Sequence, residues 1–206
     1  MKAVLLSIQP KWCELIASGK KTVEVRKNKP KLETPFKVYI YATKPRHYFK
    51  ISEHLAATDE NLFLSNGTVK MSDGFEHWAD GIKVEYLNGK VIGEFVCDEI
   101  FPIRVFENGS IQDYNRHSME RSCVPYDDIS NYIGSGCMGY GWHISDLKIY
   151  DNPKNKVEFC HPCDRDPQCD CRYCVRYGGN KPILRAPQSW CYVEQLQNEY
   201  SGGRHE

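Results

Sequence analysis

Apolar and polar positions along the chain mark out its elements. Val4 to Ile8 is a short, nearly continuous apolar run, as expected of a strand buried on both faces. Gln9 and Pro10 end it, and Pro10 suits the first turn of a helix, where a missing N–H costs nothing. The segment Lys11 to Ser18 then places Trp12, Leu15 and Ile16 at i, i+3 and i+4, predicting one apolar helix face. Gly19 follows where a helix C-cap uses glycine. From Lys21 to Arg26 the period changes to two: Val23 and Val25 point one way, Thr22, Glu24 and Arg26 the other. Phe36 to Ala42 alternates again, with Phe36, Val38 and Ile40 opposite Tyr39 and Tyr41.

Two Asn-Gly pairs predict tight hairpins, because both positions favour positive φ. Asn66-Gly67 lies between Leu62–Leu64 and Thr68–Met71, and Asn88-Gly89 between Lys83–Tyr86 and Lys90–Val96. The second of these following strands is long and reads as central. Pro125 opens a helix over Tyr126–Ile133 that Gly134 closes. Tyr140 to Tyr150 reads as one long strand and Ser189 to Val193 as a last one. Strands dominate and helices are few and short, which predicts an α+β fold built on a curved sheet or small β-barrel. We read a single domain over 1–206, with an inserted excursion at 44–88, a second insertion at 157–184 and a closing strand within 185–197.

Composition changes this picture in two ways. The 27 basic and 27 acidic side chains cancel, so bulk charge does not point to nucleic acid and only a local patch can. No apolar run approaches the roughly 18 residues of a membrane span, and the opening run is too short for a signal peptide. A cytoplasmic location without membrane contact is therefore expected, and in a reducing compartment clustered cysteines point to metal more than to disulfides.

Five of the ten cysteines fall between positions 160 and 174: Cys160, Cys163, Cys169, Cys171 and Cys174. Cys160/Cys163 and Cys171/Cys174 are C-x-x-C pairs, each able to chelate one ion from a tight turn, and two such pairs complete the tetrahedral thiolate shell of zinc. Cys169 or His161 are alternative ligands, and a loop of incidental thiols or a redox motif are the weaker readings. Four protein ligands leave no open position, so this zinc is expected to be structural. Cys13, Cys97, Cys123, Cys137 and Cys191 are scattered and expected to be buried or inert.

The chemistry is expected elsewhere. In Gly19-Lys20-Lys21-Thr22-Val23-Glu24-Val25-Arg26 an amine, a carboxylate and a guanidinium gather at one helix–strand junction. Such a trio can hold a phosphate or a base edge. A desolvated Lys21 can also act as nucleophile or base with Glu24 as its acid–base partner, and a solvated Glu–Arg pair is the plain structural alternative.

The spacing Gly19-x-Lys21-x-x-Glu24-x-Arg26, after a short strand and helix, resembles the motif of the ASCH domain family. Ser7-Ile8-Gln9-Pro10-Lys11-Trp12, Lys90-Val91-Ile92-Gly93-Glu94-Phe95 and Tyr140-Gly141-Trp142-His143-Ile144 resemble other parts of the same pattern, which covers most of residues 3–150. The resemblance implies a PUA-like β-barrel and RNA- or nucleotide-related work in a cleft beside the motif. It also implies hydrolase alternatives, because family members include ribonucleases and an amidohydrolase acting on N4-acetylcytidine. In that amidohydrolase a threonine stands where this chain has Glu24, so its chemistry does not transfer directly.

The expected binder is thus an RNA- or nucleotide-binding protein using Ser7, Lys20, Lys21, Arg26, Lys27, Trp142 and His143, with Lys21 and Glu24 catalytic if it is a hydrolase. A protein-interaction module presenting the zinc lobe is the third reading. Lys29 and Lys31 extend the basic run, and Arg165, Arg172, Arg176, Lys181 and Arg185 surround the cysteines. Trp12, Trp142, Tyr39 and Tyr41 are candidate stacking platforms for unpaired bases, although Trp12 shares a helix face with Leu15 and Ile16 and Tyr39 and Tyr41 also suit a covered sheet face.

Overall fold

The computed structural model describes residues 1–44, 64–65, 68–69, 77–79, 82–84, 87–113, 118–162 and 181–196. In chain order the elements are β1 (Lys2–Ile8), α1 (Pro10–Ala17), β2 (Val23–Arg26), β3 (Phe36–Ala42), β4 (Leu64–Ser65), β5 (Thr68–Val69), β6 (His77–Ala79), β7 (Ile82–Val84), β8 (Lys90–Cys97), β9 (Ile100–Val105), β10 (Ile111–Asp113), α2 (Ser118–Ser122), α3 (Tyr126–Ile133), β11 (Met138–His143), β12 (Ser145–Asn155), β13 (Cys160–His161), β14 (Lys181–Pro182) and β15 (Trp190–Glu194).

Two sheets carry the fold. One has the order β12-β8-β3-β1-β15, the other β10-β9-β11-β2. Only the β1–β3 pair in them is parallel, because α1 and β2 intervene as a crossover. Among the described residues no ladder closes the sheets into the expected barrel; the architecture is two sheets linked where β11 passes into β12. Sequence pattern predicts strands but not which sheet edges meet: β15, last in the chain, pairs with β1, while among the described residues no ladder joins one sheet to the other.

The strand alternation translates directly into cores. Val4, Leu6 and Ile8 of β1 join Phe36, Val38 and Ile40 of β3 in one core, with Cys13 and Ile16 of α1 packed against them. Ala3 and Leu5 face the other way, into a second core with Tyr39, Tyr41, Phe159 and Ile183. A third core sits between the four-stranded sheet and α3, where Val23 and Val25 meet Phe101, Ile103, Ile129 and Ile133. Burying one such aliphatic side chain stabilises by about 1.5–3 kcal/mol. Phe159 and Ile183 flank the cysteine-bearing segment, and Phe159 packs edge-on to Tyr39 at 4.8 Å. The base of that segment is closed by β13 and β14, with Cys160 opposite Pro182 and His161 opposite Lys181.

Several expectations shift. The buried face of α1 is Pro10, Cys13 and Ile16, rotated from the predicted stripe, so that Trp12 and Leu15 are only half-buried. Tyr140 to Tyr150 is two strands, broken at Ile144, whose N–H bonds Thr22 O at 2.9 Å. The apolar pattern does not show this break because Trp142 before it and Leu147 after it pack on the same core. β4 and β5 pair around Asn66-Gly67. Asn88-Gly89 does turn the chain, with Gly89 at φ +83°, yet the strand before it pairs with β6 rather than with β8. Of the scattered cysteines Cys13 and Cys97 are buried, whereas Cys137 is exposed. Burial pushes the Cys97 thiol up to about 12.

Gly141 on β11 lies opposite Phe101 on β9, and a Cβ there would run into the Phe101 ring. Gly141→Ala is expected to cost about 1–3 kcal/mol by overpacking, read as a lower urea midpoint at unchanged m-value.

Candidate nucleic-acid interface

The site grows from the turn between α1 and β2. Ser18 caps α1, Gly19 takes φ +73°, and Lys21 N–H returns to Leu15 O at 2.9 Å. That left-handed step is why glycine stands here. It folds the Lys21 side chain under the helix, leaving it 1% exposed. Its ammonium donates to Val23 O at 2.9 Å and to Ser122 O at 2.6 Å, and lies 3.3 Å from Glu24 Oε2. It also sits 5.3 Å from the Trp12 ring centroid. Period two then places Glu24 and Arg26 on the strand face opposite the valines.

Glu24 is held from both sides. Arg26 Nη2 lies 2.9 Å from Glu24 Oε1 and donates to Ser7 O at 2.7 Å, while Nη1 reaches Ser189 Oγ at 3.4 Å. Ser7 Oγ donates to Pro187 O at 2.6 Å. All three charges are buried, and together they carry two cations against one carboxylate. Burying charge is tolerable only with such pairing. Among the described residues Arg26 Nε has no hydrogen-bond partner and Glu24 Oε2 is met only by the Lys21 ammonium; both atoms are buried.

These residues form the floor of a cleft of about 930 Å³. Trp12 and Lys11 of α1, Asp128 and Tyr132 of α3, and Gln188 stand around it. The size falls within the range of small-molecule sites. Cys13 lies behind the floor, and its thiol is pushed far up by burial first and by the Glu24 charge second, so it holds its proton.

The predicted residues divide clearly. Ser7, Lys21, Glu24 and Arg26 converge in the cleft. Lys20 and Lys27 are exposed, and Lys27 Nζ lies 5.3 Å from the Tyr132 ring centroid. Trp142 is fully buried against Phe36 and Trp190, so it offers no face to a base; Trp12 is the tryptophan on the cleft wall. Tyr39 and Tyr41 are buried in the second core. His143 is outside the cleft lining and pairs through Nδ1 with Asp98 Oδ1 at 2.7 Å. Burial pushes the Asp98 carboxyl up, but the His143 bond and charge outweigh it and hold the group below its usual range.

Of the zinc candidates, Cys160 and His161 lie on β13, and Cys163, Cys169, Cys171 and Cys174 fall outside the described residues. Among the described residues no three His, Cys, Asp or Glu side chains gather as for a metal. Nor is any helix among them long and apolar enough to cross a membrane. Sequence reasoning missed Asp128 and Tyr132. They sit four apart on the α3 face next to Ile129 and Ile133, an ordinary amphipathic pattern that carries no functional mark.

Lys21→Met strips two carbonyls and Glu24 of a buried partner. It is expected to lower unfolding free energy by about 3–5 kcal/mol, read by denaturant titration.

No curated protein matches the chain. Three solved structures share its fold: an ASCH protein from Zymomonas mobilis at 17% identity, covering 96% of this chain and 89% of that one with a TM-score of 0.50; its serine-to-alanine mutant at 15%, covering 94% and 89%, TM-score 0.51; and its tyrosine-to-phenylalanine mutant at 16%, covering 95% and 92%, TM-score 0.52. The ASCH domain model matches residues 6–132, more than half of the chain and the whole of the motif-bearing turn. The chain therefore belongs to the ASCH domain family.

Proposed function

We propose that this protein binds RNA by receiving an unpaired nucleotide in the cleft over Lys21, Glu24 and Arg26. The observation that carries this reading is the cleft of about 930 Å³ over the buried Lys21–Glu24–Arg26 network, whose two cations exceed its one carboxylate and beside which Trp12 stands. The floor's excess positive charge suits a phosphate-bearing ligand, and Trp12 supplies an aromatic wall.

The same geometry weighs against hydrolysis through Lys21. A nucleophilic or basic amine needs a free lone pair directed at its substrate. The Lys21 ammonium instead spends its hydrogens on Val23 O and Ser122 O and faces Glu24. Lys21 serves in this reading to hold Glu24 in place, with Glu24 and Arg26 as the contacts to the base.

Isothermal titration with the four nucleoside 5′-monophosphates tests this. At least one is expected to bind without turnover, and Glu24→Gln is expected to weaken it by about ten- to a hundredfold, as for loss of a charged hydrogen bond. Equal heats for wild type and Glu24→Gln, or product formation that Lys21→Met abolishes, would sink the reading.

For the insertion we propose a structural zinc ion on Cys160, Cys163, Cys171 and Cys174, supported by their spacing and by the β13–β14 ladder that closes the segment's base. Elemental analysis of purified protein is expected to find about one zinc per chain. Zinc-free protein with unchanged thermal stability would end the idea.

A further inference from the structure

The loop that leaves β2 carries Lys27, Lys29 and Lys31 at alternate positions, all exposed, while Pro30 is buried and pins the loop down. Each lysine is associated with a tyrosine from a different element. Lys27 Nζ lies 5.3 Å from the Tyr132 ring on α3, and Lys29 Nζ 5.4 Å from the Tyr140 ring on β11. The Lys31 backbone N–H donates to Tyr192 Oη on β15 at 2.7 Å. Tyr132 is itself a wall of the cleft. Tyr140 is the register partner of Arg26 across β11 and β2, so the two side chains stand on one sheet face. Tyr140 and Tyr192 are half-buried, packed on the core around Trp142 with part of each residue left exposed. The loop's one exposed carboxylate, Glu33, lies beyond Lys31.

We propose that this row is a track for single-stranded RNA, on which the nucleotides next to the one in the cleft are held, their phosphates on Lys27, Lys29 and Lys31 and their bases against Tyr132, Tyr140 and Tyr192. The inference rests on the base-binding reading of the cleft and extends it from a nucleotide to a strand. The chemistry is an exchange. In the free protein an ammonium occupies the faces of Tyr132 and Tyr140. Stacking a base on an aromatic ring is worth more than an exposed cation–π contact, and the displaced ammonium gains a phosphate. A duplex cannot make the exchange, since its bases are already stacked.

Fluorescence anisotropy with a labelled eight-nucleotide single-stranded RNA of mixed sequence, beside titration of the four nucleoside monophosphates, tests the track. The octamer is expected to bind about ten-fold or more tighter than the best monophosphate, as added stacking requires. The Lys29→Ala/Lys31→Ala variant is expected to lose most of that margin. Its slope of log affinity against log salt should fall by about 1.4, or 0.7 for each lost phosphate contact on a single strand. Its monophosphate affinity and melting temperature should stay as in wild type, and Lys29→Arg/Lys31→Arg should restore the octamer. An unchanged octamer slope in the alanine variant, or a blunt RNA duplex bound as tightly as the single strand, overturns the track. Monophosphate binding without any gain from the octamer overturns the track and leaves the cleft reading standing. Octamer binding that depends on the lysines, with no monophosphate bound, does the reverse.

Discussion

The carboxylate of Glu24, gripped between Lys21 and Arg26, is the interaction on which the site depends. A buried charge is tolerated only when paired and hydrogen-bonded. Meeting that demand ties together pieces far apart in sequence: the turn after α1, the end of α2 through Ser122 O, β1 through Ser7 O, and the approach to β15 through Ser189. These segments surround the cleft because the three charges need them. A buried ion pair is weak evidence for stability as such, but it is costly to break from one side. The network therefore acts as a constraint on geometry more than as a source of folding energy.

That constraint also sorts the roles within the motif. Lys21 is consumed by two carbonyls and a carboxylate, which makes it a support. Glu24 and Arg26 line the cleft floor beside it. Structural likeness at 15–17% identity carries the fold across, not the chemistry, so function has to be argued from these atoms. A floor with excess positive charge next to a tryptophan wall favours a ligand that carries both a base and a phosphate.

Differences between pattern and structure share one cause. Trp142 and Trp12 look alike in sequence, each aromatic beside a polar neighbour. Trp142 is buried because β11 lies inside the molecule, against Phe36 and Trp190, whereas Trp12 lies at the edge of the α1 contact and meets the cleft. Asn88-Gly89 turns the chain as its chemistry demands, but which strands flank a turn as partners is settled by the sheet. Likewise the alternation through Tyr140–Tyr150 is real, and the break at Ile144 is invisible to it because both flanking strands feed one core.

The sequence by itself determined what depends on near neighbours. An apolar run placed β1 and the period of two placed β2 and β3, separating valines from charges on β2; Pro125 and Gly134 bounded α3; Gly19 marked the end of α1; and the spacing of Lys21, Glu24 and Arg26 identified the motif and, through it, the family. These follow from side-chain period and backbone conformation, which are local properties. Only the tertiary structure decided what depends on distant partners. It brought Ser7, Ser122 and Ser189 to the trio, took Trp142 and His143 out of the cleft, and supplied Asp128 and Tyr132 in their place. It also set tyrosines from α3, β11 and β15 beside the lysines of one loop. Contacts between residues a hundred or more positions apart, such as Lys21 to Ser122, leave no period in the chain. They are fixed by how the two sheets pack and by the need of buried charge for partners.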